Sequence, residues 1–134
     1  MTVLTESEQQ KLLEVAQEAM KSAYAPYSQF RVGAALLTDT GNIVAGCNVE
    51  NASYGLSICA ERNAIANAII RNEKDTMEVI AIAVVNSNNV PCSPCGACRQ
   101  VIWEFGQNAQ VIFLGSQGWQ NLKIKELLPE GFSL

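Results

Sequence analysis

The chain has 134 residues, a net charge of −4 and no histidine. This length fits one domain, residues 1–134, which can bury a core without disulfide bonds. The lack of histidine excludes mechanisms with an imidazole base and metal sites with an imidazole ligand. The excess of acidic over basic residues argues against binding to a nucleic acid polymer.

We expect neither a signal peptide nor a membrane span in this sequence. Its first ten residues contain no basic region followed by an apolar run, so we expect no signal peptide and a cytoplasmic protein. No apolar stretch approaches the ~18 residues of a membrane span.

The first half of the chain predicts one helix and a β-hairpin. Thr5 and Glu8 form a capping-box pattern, and the apolar stripe that follows predicts a helix that Pro26 ends. Residues 30–38 and 42–49 have the composition of two hairpin strands, and a loop follows.

The second half of the chain alternates helices and strands. The predicted elements are, in order, a helix over residues 61–72, a buried strand over 78–86, a helix from Pro94 to Gly106, a buried strand over 110–115 and a short helix over 122–128. The helix over residues 61–72 is apolar except for a narrow face with Asn63, Asn67 and Arg71, so we expect it to be covered on most sides. The alternation predicts an α/β/α layered domain with a mixed sheet.

Cysteine spacing is the strongest chemical signal in the sequence. The chain has five cysteines, an odd number that favours a metal site or reactive thiols over a disulfide framework. Cys92, Cys95 and Cys98 follow one another closely, and Cys59 lies where the second helix begins, with Ser57 as the expected N-cap. Thiols therefore lie at two helix N-termini, a position that lowers the pKa of a thiol.

The sequence favours Cys95 and Cys98 as the pair that joins Cys59. Both would lie on one face of the first turn of the third helix, whereas Cys92 precedes Pro94 and lies outside that helix. Three thiolates with Zn²⁺ leave a fourth tetrahedral position open, which is typical of a catalytic zinc site. Two alternatives stay open here: Cys92 as a fourth ligand that closes the site, and cysteines that are only small buried residues.

Glu61 is the candidate for proton transfer. It follows Cys59 by two residues, so on a helix it does not face the same metal, but its side chain would border the open position. Alone, a glutamate in a first helical turn only favours the helix dipole. Beside an open zinc site we favour the catalytic interpretation.

Several motifs, in order, make the chain resemble a known family. They are CAER at residues 59–62, PCGACRQ at 94–100, and the longer segments at 24–36 and 48–62. Across nearly its full length the chain resembles the small, homotetrameric, zinc-dependent cytidine deaminases. The resemblance implies a three-layer α/β/α sandwich around a mixed five-stranded sheet and one Zn²⁺ per chain. Cys59 stands where the wider zinc deaminase signature has histidine, which matches the three-cysteine branch with Cys95 and Cys98 as the other ligands.

The reaction that the resemblance implies is hydrolytic deamination of cytidine and 2′-deoxycytidine to uridine and 2′-deoxyuridine plus ammonia, a step of pyrimidine salvage. A zinc-bound hydroxide would attack the pyrimidine, and Glu61 would carry the protons. Arg62 would donate hydrogen bonds to thiolate sulfurs and offset their charge. The substrate contacts carried over from the family are Phe30 against the pyrimidine, Asn48 and Glu50 at the ribose, the backbone of Ala60 at the ring edge, and Tyr54 and Phe132 from neighbouring subunits.

Plainer interpretations of these residues exist without the resemblance. Phe30 would be a core side chain, Asn48 and Glu50 a hydrated loop pair, and Arg62 an exposed salt-bridge partner. Spacing still allows Asn48 and Glu50 to point to one face, because they lie two residues apart at a strand end. An amide beside a carboxylate suits a sugar hydroxyl, which both donates and accepts.

Other functions stay open at this point. One is a deaminase of another aminopyrimidine nucleoside, such as blasticidin S. A second is a non-enzymatic zinc-binding module that Cys92 closes, and a third is a thiol–disulfide redox protein that uses Cys95 and Cys98. The acidic balance and short length disfavour a deaminase of polynucleotides.

Overall fold

The computed structural model describes residues 4–134, and its regular elements alternate as the sequence predicts. They are α1 (Glu6–Met20), β1 (Val32–Thr38), β2 (Ile43–Cys47), a 3₁₀ helix (Tyr54–Leu56), α2 (Ala60–Arg71), β3 (Val79–Asn86), α3 (Gly96–Phe105), β4 (Gln110–Gly115), β5 (Gly118–Lys123) and α4 (Ile124–Leu127). The capping box is confirmed, because Thr5 Oγ1 accepts from the Glu8 N–H and Glu8 accepts from the Thr5 N–H. Within the described residues, no helix is long and apolar enough to cross a bilayer.

One mixed sheet forms the middle of three layers. Its strand order is β2-β1-β3-β4-β5, with β3 and β4 parallel and the other neighbours antiparallel. Helix α1 covers one face, where Leu12 and Ala16 pack on small side chains such as Ala83. Helices α2, α3 and α4 cover the other face, where Ile65 and Ile102 are buried. The three-layer α/β/α prediction with a mixed five-stranded sheet is confirmed.

Strand direction brings two helix N-termini to one edge of the sheet. Strands β2 and β3 are both antiparallel to β1, which lies between them, so their carboxyl ends point the same way. Helix α2 follows β2 and helix α3 follows β3. Since strands lie ~4.8 Å apart, the two helices start above strands about 10 Å apart, which is a normal helix–helix spacing.

Helix α2 lies unusually close to the edge strand β2. Gly46 makes this possible, because a Cβ at this position would collide with the backbone of α2 at Ala64. The predicted polar face of the helix points to this strand. Asn63 Nδ2 donates to the Cys47 carbonyl at 2.8 Å, and Asn67 Nδ2 donates to the Ala45 carbonyl at 3.0 Å. These bonds satisfy edge carbonyls and fix the start of α2 against the sheet.

Two predicted helix boundaries are wrong because hydrogen bonds to other segments decide the conformation there. Helix α1 ends at Met20, well before Pro26, because the chain turns and the Tyr24 N–H donates to the Asn48 carbonyl at 3.0 Å. Ser57 is not the N-cap of α2. Its hydroxyl accepts from the Asn51 N–H at 3.1 Å and shapes the preceding loop instead.

The carboxyl-terminal part of the chain contains a strand that the residue pattern did not predict. The residue pattern predicts a helix over residues 122–128, but β5 extends to Lys123 and α4 covers only Ile124–Leu127. A tight turn joins β4 to β5, with Gly118 at φ 107°, and Leu114 pairs with Trp119. Pairing with β4 therefore decides the conformation of this weakly apolar segment.

Candidate active site

Three cysteine thiols meet where α2 and α3 begin. Cys59 is the N-cap of α2, Cys95 is the N-cap of α3, and Cys98 is the third residue of α3. Their sulfur atoms all lie within 4.8 Å of one another. Neither N-cap thiol makes a capping hydrogen bond to its own helix, so neither sulfur is used as a cap. The structure differs from the prediction in one detail. Cys95 and Pro94 precede the first turn of α3 and do not lie within it.

The donor set fits one zinc ion. Zinc bonds thiolate sulfur at about 2.3 Å, so sulfurs on a tetrahedral ion lie about 3.8 Å apart, and these thiols need to approach by at most about 1 Å. Cys92 is half-buried and does not belong to the group of mutually close thiols. Three protein donors leave one tetrahedral position for water or substrate, as in catalytic sites. This geometry speaks against the closed, four-cysteine alternative.

One thiol of the cluster, that of Cys59, favours the anionic form that a metal requires. A hydrogen bond from Cys98 lowers the pKa of Cys59 to about 5, and Arg62 adds to this effect. Cys98 keeps its proton in that bond, which raises its own pKa. Arg62 Nη2 lies 3.5 Å from the Cys59 sulfur, whereas Arg62 Nε is buried without a partner among the described residues. The guanidinium thus lies at the sulfur cluster, as its proposed role requires, and not in an exposed salt bridge.

Glu61 is the buried carboxyl group of the site. Its residue is 4% exposed, although glutamate is rarely buried without a partner. Burial raises the pKa of Glu61 to about 7, and the negative charge of Cys59 contributes to the rise. A carboxyl group with a pKa near neutrality can both accept and donate a proton at physiological pH.

The predicted sugar-binding residues lie on a neighbouring segment. Asn48 Oδ1 accepts from the Val32 N–H at 2.8 Å, and its Nδ2 donates to the Phe30 carbonyl at 2.9 Å. Glu50 Oε1 accepts from the Tyr27 N–H at 3.0 Å. Both side chains therefore reach the segment before β1, on one side of the chain as the spacing predicts. Asn48 also holds the backbone of Phe30.

Ser28 is a site residue that the sequence analysis missed. Its hydroxyl donates to Glu50 Oε2 and accepts from the Phe30 N–H at 3.0 Å, and its N–H donates to Glu50 Oε1 at 3.1 Å. These bonds lower the pKa of Glu50, with the hydroxyl contact as the largest cause. The only local signal was a serine two residues before Phe30, which is too common to single out.

An open pocket of about 290 Å³ adjoins Glu50. It is lined by Tyr27, Ser28, Glu50, Tyr54 and Ser57. Tyr54 is mostly exposed and packs edge-on against Tyr27, with ring centroids 6.0 Å apart. The lining contains no lysine or arginine. The pocket therefore has a negative and aromatic character.

Phe132 lies apart from this pocket within its own chain. It is exposed, and its carbonyl accepts from Gln100 Nε2 at 3.0 Å on helix α3. Trp103 and Gln107 hold the next residue, Ser133, by its hydroxyl. The carboxyl-terminal segment is thus bound to the outer side of α3.

Comparison with known proteins agrees with this geometry. A family model described as the cytidine and deoxycytidylate deaminase zinc-binding region matches residues 6–114. A cytidine deaminase of Halalkalibacterium halodurans is 46% identical over 128 residues, which cover 94% of this chain and 95% of that protein. The crystal structure of a cytidine deaminase from Burkholderia pseudomallei matches with a TM-score of 0.84 and 45% identity, over 96% of this chain and 100% of that chain.

A relative named for another substrate is less similar in sequence. A blasticidin-S deaminase of Bacillus cereus is 31% identical over 124 residues, which cover 89% of this chain and 88% of that protein. The chain belongs to the family of zinc-binding cytidine and deoxycytidylate deaminases. It is a zinc-dependent enzyme that acts on a carbon–nitrogen bond, which confirms the predicted family, enzyme class and cofactor.

Proposed function

We propose that the protein deaminates the free nucleosides cytidine and 2′-deoxycytidine, and so serves pyrimidine salvage. The observation that carries this proposal is the meeting of three thiols from two helix N-termini with one buried glutamate. The reaction consumes one water and releases one ammonia, and the products are uridine and 2′-deoxyuridine. A redox role for Cys95 and Cys98 would leave Glu61 and Cys59 without a function.

Cys59, Cys95 and Cys98 would hold the zinc ion. When bound, zinc supplies Lewis acidity that lowers the pKa of water toward neutrality. Three thiolates reduce this acidity because they place a net charge of about −1 on the centre. The N-termini of α2 and α3 and the guanidinium of Arg62 offset part of that charge.

Glu61 would move the protons of the reaction. A carboxylate there accepts a proton from the attacking water, passes it to the ring nitrogen next to the amino group, and assists departure of ammonia. With a pKa of about 7, Glu61 is poised for both directions of transfer. Its burial excludes bulk water, which would otherwise compete for these protons.

The remaining predicted residues would bind the substrate. Phe30 would pack on the pyrimidine, and the backbone of Ala60 would contact the ring edge. Ala60 is the first residue of α2, so its N–H is one of those that a helix leaves unsatisfied. Asn48 and Glu50 would bind the sugar hydroxyls. Besides the bonds described above, their side-chain oxygens keep free lone pairs, and Asn48 Nδ2 keeps one hydrogen to donate.

The pocket charge favours a nucleoside over a nucleotide. A phosphate on the sugar would meet the Glu50 carboxylate and no lysine or arginine among the lining residues. Like charges at close range disfavour binding. The closer relatives with cytidine in their names support the same base.

A substrate panel tests this proposal directly. We expect zinc-loaded protein to convert both cytidine and 2′-deoxycytidine. For deoxycytidylate, kcat/KM should be lower than for 2′-deoxycytidine, because the phosphate would meet the Glu50 carboxylate and no lysine or arginine among the lining residues. Release of ammonia and the ultraviolet change of the base are measured on one preparation with known zinc content. Faster turnover of deoxycytidylate or blasticidin S than of cytidine would contradict the proposal.

We also propose that the enzyme is a homotetramer whose subunits complete one another's sites. Large apolar side chains are exposed on the loop before α2 and in the last turn of α2: Tyr54, Leu56, Ile58, Ile69 and Ile70. Packing of subunits around this helix would cover them. Tyr54 and Phe132, both exposed in their own chain, would reach a neighbour's site.

Light scattering at micromolar concentration tests the assembly. We expect a mass close to four chains of 14.5 kDa. Dilution should reduce activity and mass together if neighbouring subunits supply Tyr54 and Phe132 to the site. A monodisperse monomer with full activity would contradict the assembly and leave the proposed chemistry standing.

A cytoplasmic location fits the thiol chemistry. All five cysteines are free in the structure. Closely spaced thiols stay reduced, and available to zinc, in a reducing compartment.

A further inference from the structure

Arg99 binds three separate parts of the chain next to the thiol cluster. It follows Cys98 directly in helix α3. Its Nε donates to the Pro94 carbonyl at 2.7 Å, Nη1 donates to the Leu127 carbonyl at 2.8 Å, and Nη2 donates to the Ser93 hydroxyl at 2.9 Å. Every nitrogen of the guanidinium is therefore engaged, which is uncommon for an arginine that only balances charge.

Two of these partners lie in the segment that leads into Cys95. Residues 87–95 form no helix or strand. Upstream, the Cys92 N–H donates to the Leu114 carbonyl at 2.9 Å. The Cys95 side chain makes no cap hydrogen bond, and its residue is exposed. Its carbonyl accepts the first helical bond, from the Arg99 N–H at 2.9 Å, so the peptide on its other side, which carries the Pro94 carbonyl, is the remaining backbone constraint on the thiol.

The third partner lies at the end of the last helix. Leu127 is the final residue of α4, and carbonyls there have no partner within the helix. A cation at this end is also favoured by the helix dipole. Arg99 thus connects the segment before Cys95 to α4, which packs on the same face of the sheet.

We infer that Arg99 is a positioning residue of the zinc site, which holds the Cys95 thiol at the correct distance from Cys98. The inference rests on the proposed function, because zinc is the group that these thiols would hold. Lysine cannot replace arginine here: an ammonium is a point donor, whereas the planar guanidinium reaches three acceptors in fixed directions. Residues that orient metal ligands typically change metal affinity by about 10–100-fold when replaced.

Zinc retention separates this role from a general effect on stability. The variants are Arg99→Ala, Arg99→Lys and Ser93→Ala, the last of which removes one acceptor and keeps the arginine. Arg71→Ala is the matched control, because Arg71 lies at the far end of α2 and its Nε bonds only Asn67. Zinc-loaded proteins are mixed with a chromophoric chelator well below their unfolding temperatures, and the rate of zinc release is measured. Cobalt-substituted proteins report the thiolate geometry by their visible spectrum.

We expect zinc release about 10–100-fold faster in Arg99→Ala. Release should be several-fold faster in Arg99→Lys, slightly faster in Ser93→Ala and unchanged in Arg71→Ala. The cobalt spectrum should shift in both Arg99 variants. If Arg99→Ala does not fold, Arg99→Lys and Ser93→Ala decide the question by the same two measurements.

Failure of this inference is distinguishable from failure of the proposed function. Release within twofold of the parent in the Arg99 variants, with an unchanged cobalt spectrum, overturns the role of Arg99 even if their unfolding temperatures fall. Full rescue by lysine also overturns it, because charge alone would then suffice. A parent that holds zinc but does not deaminate cytidine refutes only the proposed function.

Discussion

Glu61→Gln should abolish turnover and leave the rest of the site in place. The amide keeps the size and shape of the carboxyl group but cannot exchange a proton near neutral pH. General acid–base catalysis contributes roughly 10²–10⁴-fold, and Glu61 would act at several steps, so we expect a loss of at least about 10⁴-fold, or about 5 kcal/mol of barrier. Cytidine affinity should change much less, because Asn48 and Glu50 are untouched.

The measurement needs three readouts on one preparation: zinc content, cytidine binding and uridine formation. Glu104→Gln is the matched control, since Glu104 is exposed on α3 and should be neutral. Glutamine at position 61 also removes an acid whose pKa is raised by burial, so the variant should fold at least as well at neutral pH. Full zinc with turnover within tenfold of the parent would show that Glu61 is only a carboxylate at a helix N-terminus.

Replacement of single cysteines by serine should divide them into two classes. Cys59→Ser, Cys95→Ser and Cys98→Ser should each lose zinc or bind it far more weakly, because a hydroxyl is a poor ligand next to a thiolate. Activity should fall with the metal. Cys92→Ser should retain one zinc per chain, since Cys92 stands outside the sulfur cluster. Zinc content is measured after dialysis against a weak chelator, at equal protein concentration.

Two patterns of zinc content among these cysteine variants would contradict the proposed ligand set. Loss of zinc in Cys92→Ser together with retention in Cys98→Ser would overturn the assignment of the ligand pair. Loss of zinc in all four variants would support a closed, four-cysteine site. Such a site would leave no position for the attacking water, and the proposed chemistry would fall with it.

Much of the site could be predicted from local spacing. Two cysteines three residues apart at a helix start must lie on one side of it, and a glutamate two residues after Cys59 must lie in the same turn. The capping box at Thr5 and Glu8 needs only four consecutive residues, and it was predicted correctly. Continuous apolar runs also revealed β3 and β4, because a strand buried on both faces is apolar throughout.

The weakly patterned elements could not be predicted in this way. Strand β5 has the sequence GWQNLK, with two large apolar residues, and only its pairing with β4 makes it a strand. The end of α1 and the true N-cap of α2 depend likewise on hydrogen bonds between segments that are distant in the sequence. Local propensity is a weak preference that such pairing overrides.

The sequence by itself thus identified the three candidate cysteine ligands, Glu61 as the candidate acid, and the family, whereas the burial of Glu61 is visible only in the structure. The tertiary structure decided how they meet. The common direction of β2 and β3 places Cys59 beside Cys95 and Cys98, and it leaves Cys92 outside the cluster. Only the folded chain shows that Ser28 holds Glu50 and that Arg99 connects Pro94 to Leu127. Spacing defines neighbours within a turn or a strand, whereas contacts between segments follow from strand order, helix placement and side-chain rotamers.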